Sequence, residues 1–424
     1  MRNIVTLALL LINLPALAMS QSKLNCITLN HDISRIEQLA DSGIYRNLAD
    51  ITDKQSDKNN ALTFDYQETH SYQDYLSYAY EKISRLNPNA KLKCPIETGV
   101  TKALNKAVDN LVVTDLLAPF ELHAPNSRQV LLLVHGLTDS PYHFHDIATH
   151  YHQQGMNVRS LLLPGHSTAA EALTEVSYEE WQKATKFAVS KALADFDQVY
   201  LGGFSTGSTL LLDDLLSYSR DLKKIKGVIL WMPAFKAKSS VAWAAQVADW
   251  IPFLDYTHKS ADIDFAKYES FPLNAAAQVY TLMNLLTEKV ESATEIPDVP
   301  LLTITTEVDT TIETQATIAL IAKWHNAKNR RSQQKDTLFY FGDPASLNAL
   351  PDTVRRIFPS CNHADYCKNI LNVAHTAVLN APSNPHYGWQ GNYRNCEYSF
   401  GSEHYYACKS TTTPVLGETT QENL

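Results

Sequence analysis

From about residue 113 onward, apolar positions gather into short unbroken runs, with stretches of helical period between them. Val130-Leu131-Leu132-Leu133-Val134, Val158 to Leu163, Gln198 to Phe204, Gly227 to Trp231 and Pro300 to Thr305 read as strands covered on both faces. Asp336 to Phe341 reads as the final strand. Tyr178 to Phe196 repeats Trp181, Ala184, Phe187, Ala188 and Ala192 at helical spacing, and Ser208 to Tyr218 and Ile312 to Trp324 read as further helices. Strands alternating with helices predict an α/β fold with a doubly wound, mostly parallel sheet.

The pattern changes at both ends and once in the middle. Residues 19–112 are polar and mainly helical in period: Ile33, Ile36 and Leu39 share one spacing, and Tyr72, Tyr75, Tyr78 and Tyr80 read as a packing stripe. This helical N-terminal region carries no evident chemistry and is expected to be an accessory layer. Between Pro233 and Pro300 lies an insertion, about 234–299, too long for a simple crossover. It carries Trp243, Trp250, Phe253, Tyr256, Phe265, Tyr268 and Phe271. These aromatics suit either a lid over an apolar pocket or the packing of the insertion on the core. Residues 381–424 form a cysteine-bearing tail.

Composition narrows the class. The 424 residues are 45% hydrophobic and 19% charged, an ordinary globular balance, with a formal net charge of −9. With no basic patch, nucleic acid is not an expected partner. Residues 1–18 read as a signal peptide: Arg2, an apolar run from Ile4 to Leu14, and Ala16-Leu17-Ala18 as a cleavage site. No second long apolar stretch follows, so no transmembrane segment is expected in the mature chain. All six cysteines lie beyond the cleavage site and suggest disulfides. Proximity pairs Cys26 with Cys94, Cys361 with Cys367, and Cys396 with Cys408, among the 15 connectivities six cysteines allow. These features place the protein in the periplasm or outside the cell. Nothing in the sequence specifies an oligomeric state.

The chemistry centres on Gly203-Phe204-Ser205-Thr206-Gly207, a serine at the bend between a strand and a helix. Glycine on both sides removes Cβ atoms that would clash in so sharp a turn. The hydroxyl then sits over a helix N-terminus, where free N–H groups favour developing negative charge. A serine nucleophile needs a base, an acid that holds the base's tautomer, and N–H donors for the oxyanion. The candidate bases downstream of the acid are His363, His375, His386 and His404. His375 stands among small and apolar residues, with His386 as runner-up. After the strand Pro300–Thr305 come Glu307 and Asp309 as candidate acids, and Asp309 also suits a helix N-cap.

His135-Gly136-Leu137 after the first strand, Leu163-Pro164-Gly165-His166-Ser167 after the second, and the Gly-Phe-Ser-Thr-Gly turn together resemble the α/β-hydrolase superfamily. The chain is most similar to its lysophospholipase and monoacylglycerol lipase branch, which includes relatives classed as serine aminopeptidases. The resemblance covers about residues 113–380. It implies a catalytic Ser205, with Asp309 as acid at the family's offset from Thr306 and His375 as base, in the chain order Ser, Asp, His. It implies that the oxyanion donors are the N–H groups of Leu137 and Thr206, and that His135 and His166 are structural. A final helix is expected to start within Thr376 to Leu379. Asp309 and His375 are farther apart than in compact members, so an extra loop from about Gly342 to Leu371 is expected between them.

The expected activity is hydrolysis of carboxylic esters, lipid or lysophospholipid-like, through an acyl-enzyme, with no metal or organic cofactor. The rivals are an aminopeptidase, in which Asp255, Asp262 and Asp264 either bind an amine or, more simply, form solvated surface charge, and a binding protein that retains the fold without turnover.

Overall fold

The apolar runs pair side by side in one eight-stranded sheet of order β1-β3-β2-β4-β5-β8-β9-β10. Its strands are β1 (Glu121–Leu122), β2 (Gln129–Val134), β3 (Asn157–Leu161), β4 (Gln198–Phe204), β5 (Ile225–Trp231), β8 (Leu301–Thr306), β9 (Thr337–Phe341) and β10 (Arg355–Ile357). All neighbours are parallel except β1, which runs antiparallel to β3. The computed structural model describes residues 25–27, 62–218, 221–238, 255–258, 260, 262–360, 367, 370–396, 401–411, 414 and 416–417. The proposed signal peptide, the Ile33–Leu39 segment, Trp243, Trp250, Phe253, Cys361 and His363 lie outside the described residues.

Strand β2 explains why the central runs are unbroken. Val130 to Val134 are all fully buried, because helices cover both faces of the sheet. Each such side chain contributes about 1.5–3 kcal/mol relative to exposure. The covering helices include α2 (His145–Gln153), α3 (Tyr178–Asp195), α4 (Thr206–Ser217) and α6 (Thr314–His325). Helix α3 starts at a Ser177–Glu180 capping box and buries Trp181, Ala184, Phe187, Ala188 and Ala192, the predicted stripe.

The sheet does not end at β9. Beyond it β10 adds a further parallel strand within the expected Gly342–Leu371 loop, so part of the long Asp309-to-His375 separation is sheet rather than loop. Its Arg355-Arg356-Ile357 is too short and too polar for the apolar pattern to reveal.

The described part of the N-terminal region packs on the core through α1 (Tyr72–Leu86). Tyr72 and Tyr75 are buried and donate their hydroxyls to the carbonyls of Ser160 and Leu162, each at 2.9 Å. Arg159 lies over the Tyr72 ring at 4.4 Å. Tyr80 turns outward and reaches Asp115. A Cys26–Cys94 disulfide fastens this layer, and Cys396–Cys408 closes the tail around α7 (Glu403–Ser410).

The insertion contributes a small hairpin, β6 (Tyr256–His258) with β7 (Phe271–Pro272), and the long helix α5 (Leu273–Ser292). Its described aromatics divide between the two expected roles. Tyr268 and Phe265 pack. The Tyr268 hydroxyl accepts from Thr168 N–H at 2.7 Å and donates to Gly165 at 3.2 Å, and the Phe265 ring lies tilted against His386, centroids 4.4 Å apart. Phe271 instead faces the cavity above Ser205. Among the described residues no helix is long and apolar enough to cross a membrane.

A buried charge cluster secures the end of the sheet away from the serine. Asp336 accepts from both Arg330 nitrogens, from His325 Nδ1 at 2.8 Å and from Leu301 N–H at 2.9 Å. Asp336→Ala would leave the Arg330 guanidinium buried without its partner, so urea unfolding should report a loss of about 3–5 kcal/mol.

Candidate active site

Ser205 sits between β4 and α4 with φ 50° and ψ −118°, a conformation most side chains avoid. Strain of this kind costs about 1–3 kcal/mol and persists only where its surroundings enforce it. Here Ser205 N–H donates to Trp231 at 2.9 Å, and its carbonyl accepts from Ser208 at 3.0 Å and Ala234 at 3.2 Å. The two glycines are required by close approach. A Cβ on Gly207 would lie 2.0 Å from the Val134 carbonyl oxygen, and one on Gly203 would lie 2.5 Å from Ser208 N.

The structure brings Ser205, His375 and Asp309 into one hydrogen-bonded chain. The Ser205 hydroxyl donates to His375 Nε2 at 2.9 Å, and His375 Nδ1–H donates to Asp309 Oδ2 at 2.7 Å. The second Asp309 oxygen accepts from Thr311 and Ile312 N–H, both at 2.8 Å. Burial pushes the Asp309 carboxyl up. The His375 hydrogen bond and charge, with the two N–H donors, outweigh this and hold it below its ordinary value. The His375 ring rests on Phe204, centroids 5.1 Å apart. All three residues are buried, but Ser205 and His375 open into a cavity.

The other candidates are accounted for elsewhere. Glu307 turns to Ser346 and the Asp343 N–H. The N-cap of α6 is Glu313, not Asp309. His386 pairs with Asp264 at 2.9 Å and with Asn392, away from Ser205, and His404 is exposed on α7. The expected helix does not start within Thr376 to Leu379: residues 375–378 form turns, and the described helix of the tail is α7.

His135 and His166 staple the loop that carries Leu137. His135 accepts the Leu163 N–H at 3.1 Å through Nε2 and donates from Nδ1 to Gly136. His166 accepts the Thr138 N–H at 3.2 Å and donates to Pro164. Burial pushes both imidazoles down, His166 to about 4, so each stays neutral at pH 7 and keeps the lone pair these contacts require. Leu137 and Thr206 border the cavity beside Ser205, and Thr206 opens α4, where helix N–H groups lack intrahelical acceptors.

That cavity is about 430 Å³. Its walls are largely apolar, with Ala234, Phe271, Val279, Met283 and Ile312 among them. Two charged side chains that the sequence patterns did not single out also border it, Asp139 and Lys267. Asp139 lies just past the His135-Gly136-Leu137 loop, and Lys267 is a lone cation between the insertion's aromatics Phe265 and Tyr268. The acidic residues of the insertion correct the solvated-surface expectation. Asp262 is held by Ser270 and the Glu269 N–H, and Asp264 by His386 and Tyr387; of the three only Asp255 is exposed. None of them lines the cavity. Among the described residues no group of three or more His, Cys, Asp or Glu is placed to hold a metal ion.

Sheet order, the strained serine turn and the stapled histidine loop define an α/β-hydrolase core. Residues 125–335 match the family described as serine aminopeptidase, S33. That span, just under half of the chain, is an α/β-hydrolase core, and it resembles the lysophospholipase and monoacylglycerol lipase branch of that superfamily. It is 22% identical over 161 residues to a thermostable monoacylglycerol lipase of Bacillus sp. (strain H-257), a match covering 38% of this chain and 64% of that one. Similar solved structures include monoacylglycerol lipase of Paleococcus ferrophilus, with TM-score 0.41 and 18% identity over 53% of this chain and 88% of that chain. A soluble variant of monoglyceride lipase from Saccharomyces cerevisiae gives TM-score 0.43 and 12% identity over 55% and 86%.

Proposed function

We propose that this chain is an exported serine hydrolase that cleaves carboxylic esters of apolar acids. The observation that carries the reading is the Ser205–His375–Asp309 chain opening into a mostly apolar cavity. His375 takes the Ser205 proton as the oxygen attacks the ester carbonyl, forming the O–C bond. The Leu137 and Thr206 N–H groups hold the tetrahedral oxyanion. Collapse expels the alcohol, which receives the proton from His375, and leaves an acyl-Ser205 ester. Water then attacks that ester with its proton taken by His375, and the acid departs as the proton returns to Ser205. Asp309 holds the imidazole tautomer and the positive charge that develops on it.

The apolar walls support an acyl chain of some length, as in a lipid or lysophospholipid. Export is supported by the apolar N-terminal run and by the Cys26–Cys94 and Cys396–Cys408 disulfides, which persist in oxidising compartments. A panel of p-nitrophenyl esters from acetate to palmitate, run beside aminoacyl p-nitroanilides, tests the substrate class. Expected is ester turnover with kcat/KM rising from acetate towards longer chains. A preference for the aminoacyl amides would replace the ester reading with the peptidase one.

A further inference from the structure

Lys267 stands where two cavities meet. It borders the 430 Å³ space that holds Ser205 and His375, together with Thr376. It also borders a second cavity of about 730 Å³ on the far side of Ala374 to Ala377, walled by Tyr387, Trp389 and Tyr393 of the tail. Around the first cavity the insertion contributes apolar walls through Phe271, Val279 and Met283, and among the described lining residues the Lys and Asp side chains are Lys267 and Asp139.

The neighbouring acids are already engaged. Asp264 accepts from His386 Nε2 at 2.9 Å and Tyr387 hydroxyl at 2.7 Å. Asp139 lies 3.6 Å from His143 Nε2. Burial pushes the Asp139 carboxyl up and the His143 imidazole down, which reduces the charge that pair carries. Lys409, the other lysine of the second cavity, is paired with Glu269 at 3.1 Å. Among the described residues no carboxylate lies within 4.0 Å of the Lys267 ammonium; it lies 6.0 Å from the Tyr393 ring, and its charge reaches Asp139 and Asp264 only at longer range. A partly buried lysine that borders a cleft and has no ion-pair partner among the described residues favours an anionic ligand group.

We propose that Lys267 binds an anionic group, phosphate or carboxylate, on the alcohol side of the ester substrate. This rests on the ester-hydrolase reading above and names the substrate class of that same site. The side follows from the chemistry. His375 delivers its proton to the leaving oxygen, so the alcohol lies towards His375, Thr376 and Lys267, while the acyl chain takes the apolar walls. The tail cavity then receives the remainder of the alcohol.

The test uses the full chain and hexanoyl esters, which remain monomeric in water: 1-hexanoylglycerol as the neutral substrate, its 3-phosphate, and the hexanoyl ester of 3-hydroxypropanoate. Wild type should favour one or both anionic esters over the neutral one, and the two arms separate phosphate from carboxylate recognition. Loss of a charge-assisted contact in Lys267→Met should lower the anionic-to-neutral ratio of kcat/KM about tenfold or more, mainly through KM, and Lys267→Arg should restore most of it. A merely structural lysine would lower all three substrates in parallel and leave the ratio unchanged, which would overturn the proposal. So would a wild-type preference for the neutral ester. Failure of the underlying reading looks different: no ester turns over and Ser205 resists a fluorophosphonate, and the anion proposal falls with it.

Discussion

Ser205→Ala and His375→Ala should each lower kcat for a p-nitrophenyl ester by about 10⁵-fold or more, and the double variant should lose no more than either single one. The reason is mechanical interdependence. The hydroxyl at 2.9 Å from Nε2 is a weak nucleophile until the ring takes its proton, and the ring has no task once the hydroxyl is gone. Equal, non-additive losses therefore report a shared step. Glu307→Gln serves as the contrast: its carboxylate faces Ser346 and the Asp343 N–H, so turnover should remain near that of wild type. If His375→Ala retained activity while Ser205→Ala did not, the base would have to be another histidine.

Asp309→Asn should reduce kcat by about 10⁴-fold with little change in KM. The carboxylate fixes Nδ1 as the protonated nitrogen and leaves Nε2 free to accept from Ser205; an amide can present its NH₂ instead and favour the opposite tautomer. The same substitution has a stability signature. Asp309 is held below its ordinary value of 3.8, so its ionised form stabilises the fold above that pH, and the contribution fades as pH falls through the lowered value. The Tm difference between wild type and Asp309→Asn should therefore be greatest near neutrality and shrink in acid. A difference that grew as pH fell would contradict this assignment of charge.

The sheet was legible because its signals are local. Runs such as Val130–Val134 state their own burial, and the glycines around Ser205 state the sterics of a turn that admits no Cβ. Motif and chain order offered Ser205, Asp309 and His375 among other candidates and the family resemblance selected them, although 170 positions separate the serine from the histidine that the structure sets beside it. What escaped depends on partners supplied by other elements. Asp262 and Asp264 read as surface charge because nothing nearby in sequence announces His386, Tyr387 or Ser270. Strand β10 escaped because an edge strand needs no long apolar run. The turn after His375 escaped because the expected helix came from resemblance, and this chain instead sends a cysteine-bearing tail back towards the insertion. Tyr393 and Lys409 of that tail both bind Glu269 there. Lys267 carried no motif, and its setting at the junction of two cavities exists only in three dimensions.

The central claim is that Ser205 is an activated nucleophile. Intact-mass analysis after treatment with a fluorophosphonate, followed by peptide mapping, tests it most directly. The account predicts one adduct per folded chain, located on Ser205, absent in Ser205→Ala and formed far more slowly in His375→Ala. A folded chain that stays unlabelled, or one labelled at another residue, would contradict it.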